Sequence, residues 1–138
     1  HAGYISDLTR TFAVGDVQEE FQRIAAIVER ANEAGRMAGK PGIPAGLVDA
    51  ASRAVIESTG YGEFFIHRTG HGIGMEGHEP PYIFGENSLI LAEGMAYTVE
   101  PGIYLPDRGG VRIEDNMVIT ANGSETLSSL PRQLLTIG

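Results

Sequence analysis

The spacing of apolar residues changes along the chain, and each change predicts an element. From Tyr4 to Phe12 the pattern alternates: Tyr4, Ser6, Leu8, Arg10 and Phe12 fall on one face, Ile5, Asp7, Thr9 and Thr11 on the other. Aromatic and β-branched residues at period two predict a strand. Val14-Gly15-Asp16 ends it, and Asp16 with Glu19 three residues on makes a capping-box-like helix start. Phe21, Ile24, Ala25, Ile27 and Val28 then recur at helical spacing, predicting a helix to about Ala38, before Gly39-Lys40-Pro41-Gly42 breaks it. After Pro44, the stripe Leu47, Ala50, Ala51, Ala54 and Val55 predicts a second helix with Gly60 as its stop. Residues 62–87 show little periodicity and read as irregular structure with one short strand. Met95–Tyr104 and Val111–Thr120 read as two strands of an antiparallel hairpin, turned at Pro106–Gly110. A last short strand is expected near Glu125–Leu127. Two helices followed by strands give an α+β arrangement on one sheet.

The length of 138 residues suits one domain with a real core. No apolar run approaches the roughly 20 residues of a membrane helix, so no membrane partner is expected. Zero cysteines exclude a disulfide scaffold, a thiolate zinc site and a cysteine nucleophile. A formal charge of −8 argues against nucleic acid as a partner. A basic stretch followed by an apolar one is missing at the start, which makes the cytoplasm the expected location. Glycine is over-used and clusters at Gly70, Gly72, Gly74 and Gly77, and again at Gly102, Gly109 and Gly110. Such clusters mark special backbone angles or close approach of the chain to something.

Candidate chemistry lies in the same places. His67, His71 and His78 fall within twelve residues, and histidine is both the commonest metal ligand and the usual acid or base near neutral pH. The flanking glycines disfavour a helix, so an extended strand with His67 and His71 on one side is expected. The plainer alternative is a glycine-rich surface loop. Glu100 follows Tyr-Thr-Val and Glu114 follows Val-Arg-Ile. A carboxylate among such neighbours either faces solvent or is paired, protonated or bound to a cation. Asp7 sits mid-strand, where aspartate is disfavoured. Arg112, two residues from Glu114, is either a surface ion-pair partner or a group that orients a ligand carboxylate. Asp7, His71, Glu100 and Glu114 together make an oxygen-rich donor set with one nitrogen, suited to Mn²⁺, Co²⁺, Fe²⁺ or Zn²⁺. Two such ions would activate a water for hydrolysis.

Five segments in order then resemble a known family: Gly3–Phe12, His67–Gly74, His78-Glu-Pro-Pro, Thr98–Tyr104 and Gly110–Asp115. They resemble the C-terminal catalytic domain of the pita-bread metallopeptidases, the Xaa-Pro aminopeptidases and Xaa-Pro dipeptidases (prolidases). The resemblance implies that residues 1–138 form a partial catalytic domain of that fold, truncated at its N-terminal side. It implies Asp7, His71, Glu100 and Glu114 as metal ligands, and Glu100 also as general base. It implies His67 and His78 as histidines that hold substrate, stabilise the tetrahedral intermediate or shuttle a proton, and Arg112 as an arginine behind the ligands. The implied cofactors are two divalent ions, manganese first, with cobalt or zinc as alternatives. The implied substrate is a peptide with proline at its second position, and a homodimer is one state open to the full-length protein. The family's first ligand aspartate would fall upstream of His1. A fragment with weakened metal binding and impaired activity is therefore expected.

Other readings stay open from sequence. Gly70-His71-Gly72-Ile73-Gly74 also fits methionine aminopeptidases. A binding module on the same fold is a second alternative. A nonhaem iron site from His67, His71 and Glu76 is a third, and it leaves Glu100 and Glu114 unexplained.

Overall fold

The computed structural model describes residues 2–138. Two helices, α1 (Glu19–Ala38) and α2 (Gly46–Glu57), precede a short 3-10 turn at Gly62–Phe64 and most of the strands. The strands are β1 (Phe12–Val14), β2 (Gly70–Gly72), β3 (Glu79–Ile83), β4 (Ala96–Val99), β5 (Gly102–Leu105), β6 (Gly109–Arg112), β7 (Asp115–Ile119), β8 (Ser124–Thr126) and β9 (Leu135–Ile137). They form three sheets where one was expected: a five-stranded sheet ordered β3-β2-β4-β7-β8, the hairpin β5-β6, and a parallel pair β1-β9.

Two apolar clusters hold the helices to the strands. Ile24, Ile27, Val28 and Ala31 of α1 and Ile56 of α2 bury against Ile103, Leu105, Val111 and Ile113. Ala45 and Val48 bury against Ile83, Tyr97, Val99, Met117 and Ile119. Each fully buried isoleucine or valine contributes about 1.5–3 kcal/mol. Helix α1 keeps the predicted end at Ala38, but its start differs. Gln18, not Asp16, occupies the cap position and makes no side-chain cap bond. Glu19 and Glu20 in the first turn instead place negative charge at the positive end of the helix dipole.

The long hairpin expected from Met95 to Thr120 is present but broken in the middle. Residues Ala96–Val99 pair with Asp115–Val118 in the five-stranded sheet, whereas Gly102–Leu105 pair with Gly109–Arg112 in a separate one. At the break the backbone groups find partners elsewhere. The Glu100 N–H donates to Thr69 O at 2.7 Å and the Glu114 N–H to Thr9 O at 3.1 Å. The carbonyls just before them, Val99 O and Ile113 O, accept from the buried Asn32 amide of α1 at 3.0 and 3.4 Å. Buried backbone groups need partners, so the break is stable only because three other segments reach it.

Two further expectations change. Residues 4–11 alternate as predicted, yet only Phe12–Val14 is ladder-paired, with β9. The earlier residues touch their neighbours at single points, such as Ile5 N–H to Gly74 O at 2.8 Å, so the period-two pattern exists without a ladder. Residues 62–87 hold two strands rather than one, because Gly70 and Gly72 let β2 slot between β3 and β4. A Cβ at Gly70 would strike the Thr98 backbone, and one at Gly72 the Glu79 and Pro80 carbonyls. The tail strand appears at Ser124–Thr126.

Candidate metal centre

A cavity of about 570 Å³ is lined by Asp7, His67, Arg68, His71, His78, Glu100, Arg112 and Glu114. Every residue singled out from sequence for this chemistry lines it. Neither Glu100 nor Glu114 takes the solvent-facing alternative. Glu76, required by the iron alternative, is exposed and lies outside the cavity lining.

His71 is the centre of the arrangement. Its strand is clamped on both sides and its side chain is only 2% exposed. Nδ1 lies 3.0 Å from Gly72 O. A carbonyl can only accept, so Nδ1 carries a proton, and in the neutral ring Nε2 holds the lone pair. Nε2 stands 3.3 Å from Glu100 Oε1 and 3.9 Å from Asp7 Oδ2. Ligand atoms of His71, Glu100 and Glu114 all lie within 4.8 Å of one another, as do those of Asp7, His71 and His78.

The two glutamates are each held by a threonine hydroxyl, one local and one distant in sequence. Thr98 Oγ1 donates to Glu100 Oε1 at 3.1 Å and accepts from His71 N–H at 3.1 Å. Thr9 Oγ1 donates to Glu114 Oε2 at 2.6 Å. Glu114 is 2% exposed. Burial pushes its carboxyl up to about 7, reinforced by the charges of Glu100 and Asp7 and opposed by the Thr9 bond. Three acidic groups facing one another around one imidazole lone pair repel, and a hard divalent cation relieves that repulsion with the donors it prefers. The residues present therefore fit a divalent metal ion.

The remaining side chains surround this set. The His67 ring donates through Nδ1 to Arg68 O at 2.7 Å, and its Nε2 lies 2.8 Å from the Tyr104 hydroxyl. That hydroxyl accepts from Arg112 Nη1 at 3.2 Å. Arg112 thus braces Tyr104 from the cavity wall, and its Nε also reaches Thr9 Oγ1 at 3.4 Å. The exposed His78 stacks on His71 with ring centroids 3.8 Å apart, and its Nδ1 faces Arg68 Nη2 at 3.2 Å. An arginine only donates, so His78 Nδ1 accepts and a neutral ring carries its proton on Nε2.

Sequence reasoning missed several groups that set this geometry. Thr9 and Thr98 were readable by period two, since Thr9 lies two residues from Asp7 and Thr98 two from Glu100. Tyr104 and Arg68 carried only their nearness to the motifs. Asn32, Asp49 and Arg53 gave no local signal. Asp49 of α2 accepts from the Thr69 N–H and hydroxyl, and Arg53 donates to Phe65 O and His67 O. Helix α2 thereby fixes the loop that carries His67.

The architecture is the pita-bread fold. Residues 1–121 match the model of metallopeptidase family M24, and the chain belongs to that family. Membership implies divalent metal ions. The chain is 44% identical over 135 residues to the probable dipeptidase PepE of Mycobacterium tuberculosis, covering 98% of this chain and 36% of that protein. It is 47% identical over 132 residues to the Xaa-Pro dipeptidase of Pyrococcus furiosus, covering 96% of this chain and 38% of the relative. The crystal structure of a prolidase from Thermococcus sibiricus superposes with a TM-score of 0.95 at 47% identity, over 98% of this chain and 37% of the other. A methionine aminopeptidase from Rickettsia prowazekii is more distant, with a TM-score of 0.80 at 28% identity over 91% of this chain and 59% of the other. The chain thus spans little more than a third of the curated relatives it matches.

Proposed function

We propose that this chain carries the greater part of the active site of an enzyme that hydrolyses the peptide bond preceding proline, of the Xaa-Pro dipeptidase or aminopeptidase type. The observation that carries this reading is the convergence of Asp7, His71, Glu100 and Glu114 on one cavity, with His67 and His78 in its wall. The names of the relatives support the choice of substrate. Asp7, His71, Glu100 and Glu114 would hold the metal, manganese first, with two ions in the complete site. Bound there, divalent ions supply a water that ionises near neutral pH and a positive charge that polarises the scissile carbonyl.

The side chains have distinct work in this reading. Glu100, less buried than Glu114, takes the proton of the attacking water. His78 offers its Nε2–H to the oxygen on which charge develops, with Arg68 holding the ring through Nδ1. His67 shapes the substrate wall, held by Tyr104 and Arg112. A metal-free binding module is disfavoured, since all four donor positions are filled and face each other.

The test is metal stoichiometry after equilibration with Mn²⁺ and removal of free ion, followed by hydrolysis of Gly-Pro against Met-Gly. The expected result is bound Mn²⁺ that the His71→Ala variant loses. The chain extended upstream of His1 by the segment its relatives carry should hydrolyse Gly-Pro in preference. An extended chain that prefers Met-Gly favours the methionine aminopeptidase reading, and one that binds no metal returns the protein to the binding class.

A further inference from the structure

We infer that Arg10 is the positioning residue that sets Asp7 against Glu114, two carboxylates delivered by segments far apart in sequence. The inference rests on the reading of those carboxylates as metal ligands. Every guanidinium N–H of Arg10 is engaged. Nη1 donates to Thr9 O at 2.8 Å and Glu114 O at 2.7 Å. Nη2 donates to Asp115 Oδ1 at 2.7 Å and Leu130 O at 2.9 Å, and Nε donates to Pro131 O at 2.7 Å. The side chain is only 7% exposed. A guanidinium carries its five donors in one rigid plane, so a saturated one locks the segments it bridges at fixed separations.

Those segments are the Asp7 strand, the Glu114 turn and the loop at Leu130-Pro131. The first needs the lock most, because residues 4–11 lie outside any ladder. Period two lets one segment do both tasks. Asp7 and Thr9 face the cavity, and Arg10 faces the other way, toward Asp115. Asp115 repeats this logic beside Glu114. It lies in register with Val99 and gathers Arg10, Arg36 and Arg132 around one fully buried carboxylate. Of these three, Arg10 alone also grips the backbone of Thr9 and Glu114. Arg132 reaches Thr126 and Ser128 instead.

That difference supplies the control. Arg10→Lys keeps a positive charge opposite Asp115 but loses the planar fork. Arg132→Lys perturbs the same carboxylate, which it meets at 2.7 and 3.1 Å, without touching residues 9 or 114. Amide hydrogen exchange of residues 4–12 and 112–116 is measured in the metal-free chain, beside the thermal midpoint and the Mn²⁺ dissociation constant. Arg10→Lys should speed exchange there by about tenfold or more and weaken Mn²⁺ binding about 10- to 100-fold. Arg132→Lys should lower the midpoint comparably and leave both other readouts within about threefold. Equal effects from the two variants, or unchanged exchange in Arg10→Lys, overturn the assignment. Should Arg10→Lys fail to fold, the two variants are compared in trimethylamine N-oxide, which favours the compact state, with the same results expected and the same result overturning the assignment. A wild-type chain that binds no Mn²⁺ overturns the metal reading instead, and the exchange comparison alone then decides the role of Arg10.

Discussion

Replacing Asp49 by alanine removes a carboxylate on which α2 and the His67 loop depend. Asp49 is 1% exposed. Its Oδ1 accepts from the Thr69 N–H at 3.1 Å and the Thr69 hydroxyl at 2.8 Å, and its two oxygens take Arg53 at 3.0 and 3.2 Å. Thr69 is fully buried, so alanine strands two donors away from water. A stranded buried donor costs about 1–3 kcal/mol. Arg53 loses less, because it stays bonded to Phe65 O and His67 O and stacked on the Phe65 ring at 4.2 Å. Counting the rotatable Thr69 hydroxyl at the low end of that range, the expected loss is about 2–4 kcal/mol. At roughly 2.1 cal/mol/K of unfolding entropy per residue, a chain of this length shifts by about 3.5 °C per kcal/mol. The thermal midpoint of Asp49→Ala should fall by about 7–14 °C. Asp49→Asn keeps an oxygen for Thr69 and gives up the charge and the acceptor for Arg53 Nε, so its midpoint should fall by less than half as much. Because Thr69 O receives the Glu100 N–H, Mn²⁺ affinity should also drop in the alanine variant. A fall below about 3 °C for alanine, or equal falls for the two variants, would refute the reasoning.

Four other outcomes follow from the same geometry. Glu114 has a folded-state carboxyl raised to about 7 from its ordinary 4.5, so the fold favours its protonated form. The metal-free chain should lose stability as pH rises from 4.5 to about 7, in urea titrations that Glu114→Gln renders flat across that window. Asp115 acts in the opposite sense and at lower pH. Burial alone would raise it, but hydrogen bonds from Arg132 and Arg10 hold it below 3.8, so its contribution is present above 3.8 and lost as pH falls through the depressed value. Thr9→Val removes the hydroxyl that supports Glu114 and should weaken Mn²⁺ binding about 10- to 100-fold in calorimetry. Tyr97→Phe should leave the thermal midpoint unchanged or raise it, since the buried hydroxyl finds no well-aligned partner, Ser124 being committed to Arg36 O.

The helices and the donor set were legible from the sequence because each has a local signature. Ile24, Ile27 and Val28 repeat at helical spacing, and a carboxylate stands out when its neighbours are Tyr-Thr-Val or Val-Arg-Ile. The division of the strands into three sheets was not legible. It depends on Asn32, Thr69 and Thr9 supplying hydrogen bonds to one point from three distant segments, and no window of sequence contains that meeting. Asp16 misled for a related reason. It has the chemistry of a cap, but the chain runs on to Gln18 before turning helical. Only one strand was expected within 62–87, because Gly70 and Gly72 carry no side chain to alternate; what defines their strand is the close approach of Thr98 and Pro80.

The interrupted hairpin bears on the order in which this protein can become competent. Its two glutamates are close neighbours as soon as β4 to β7 zip together, an event that needs only nearby residues. Their backbones acquire partners later, when the Thr9 segment, the Thr69 loop and α1 arrive. A partly folded chain therefore owns the carboxylates without owning their spacing. If these carboxylates hold the metal, as proposed, tight capture requires the finished fold, and uptake of the ion during refolding would time the final docking of those segments rather than the birth of the hairpin.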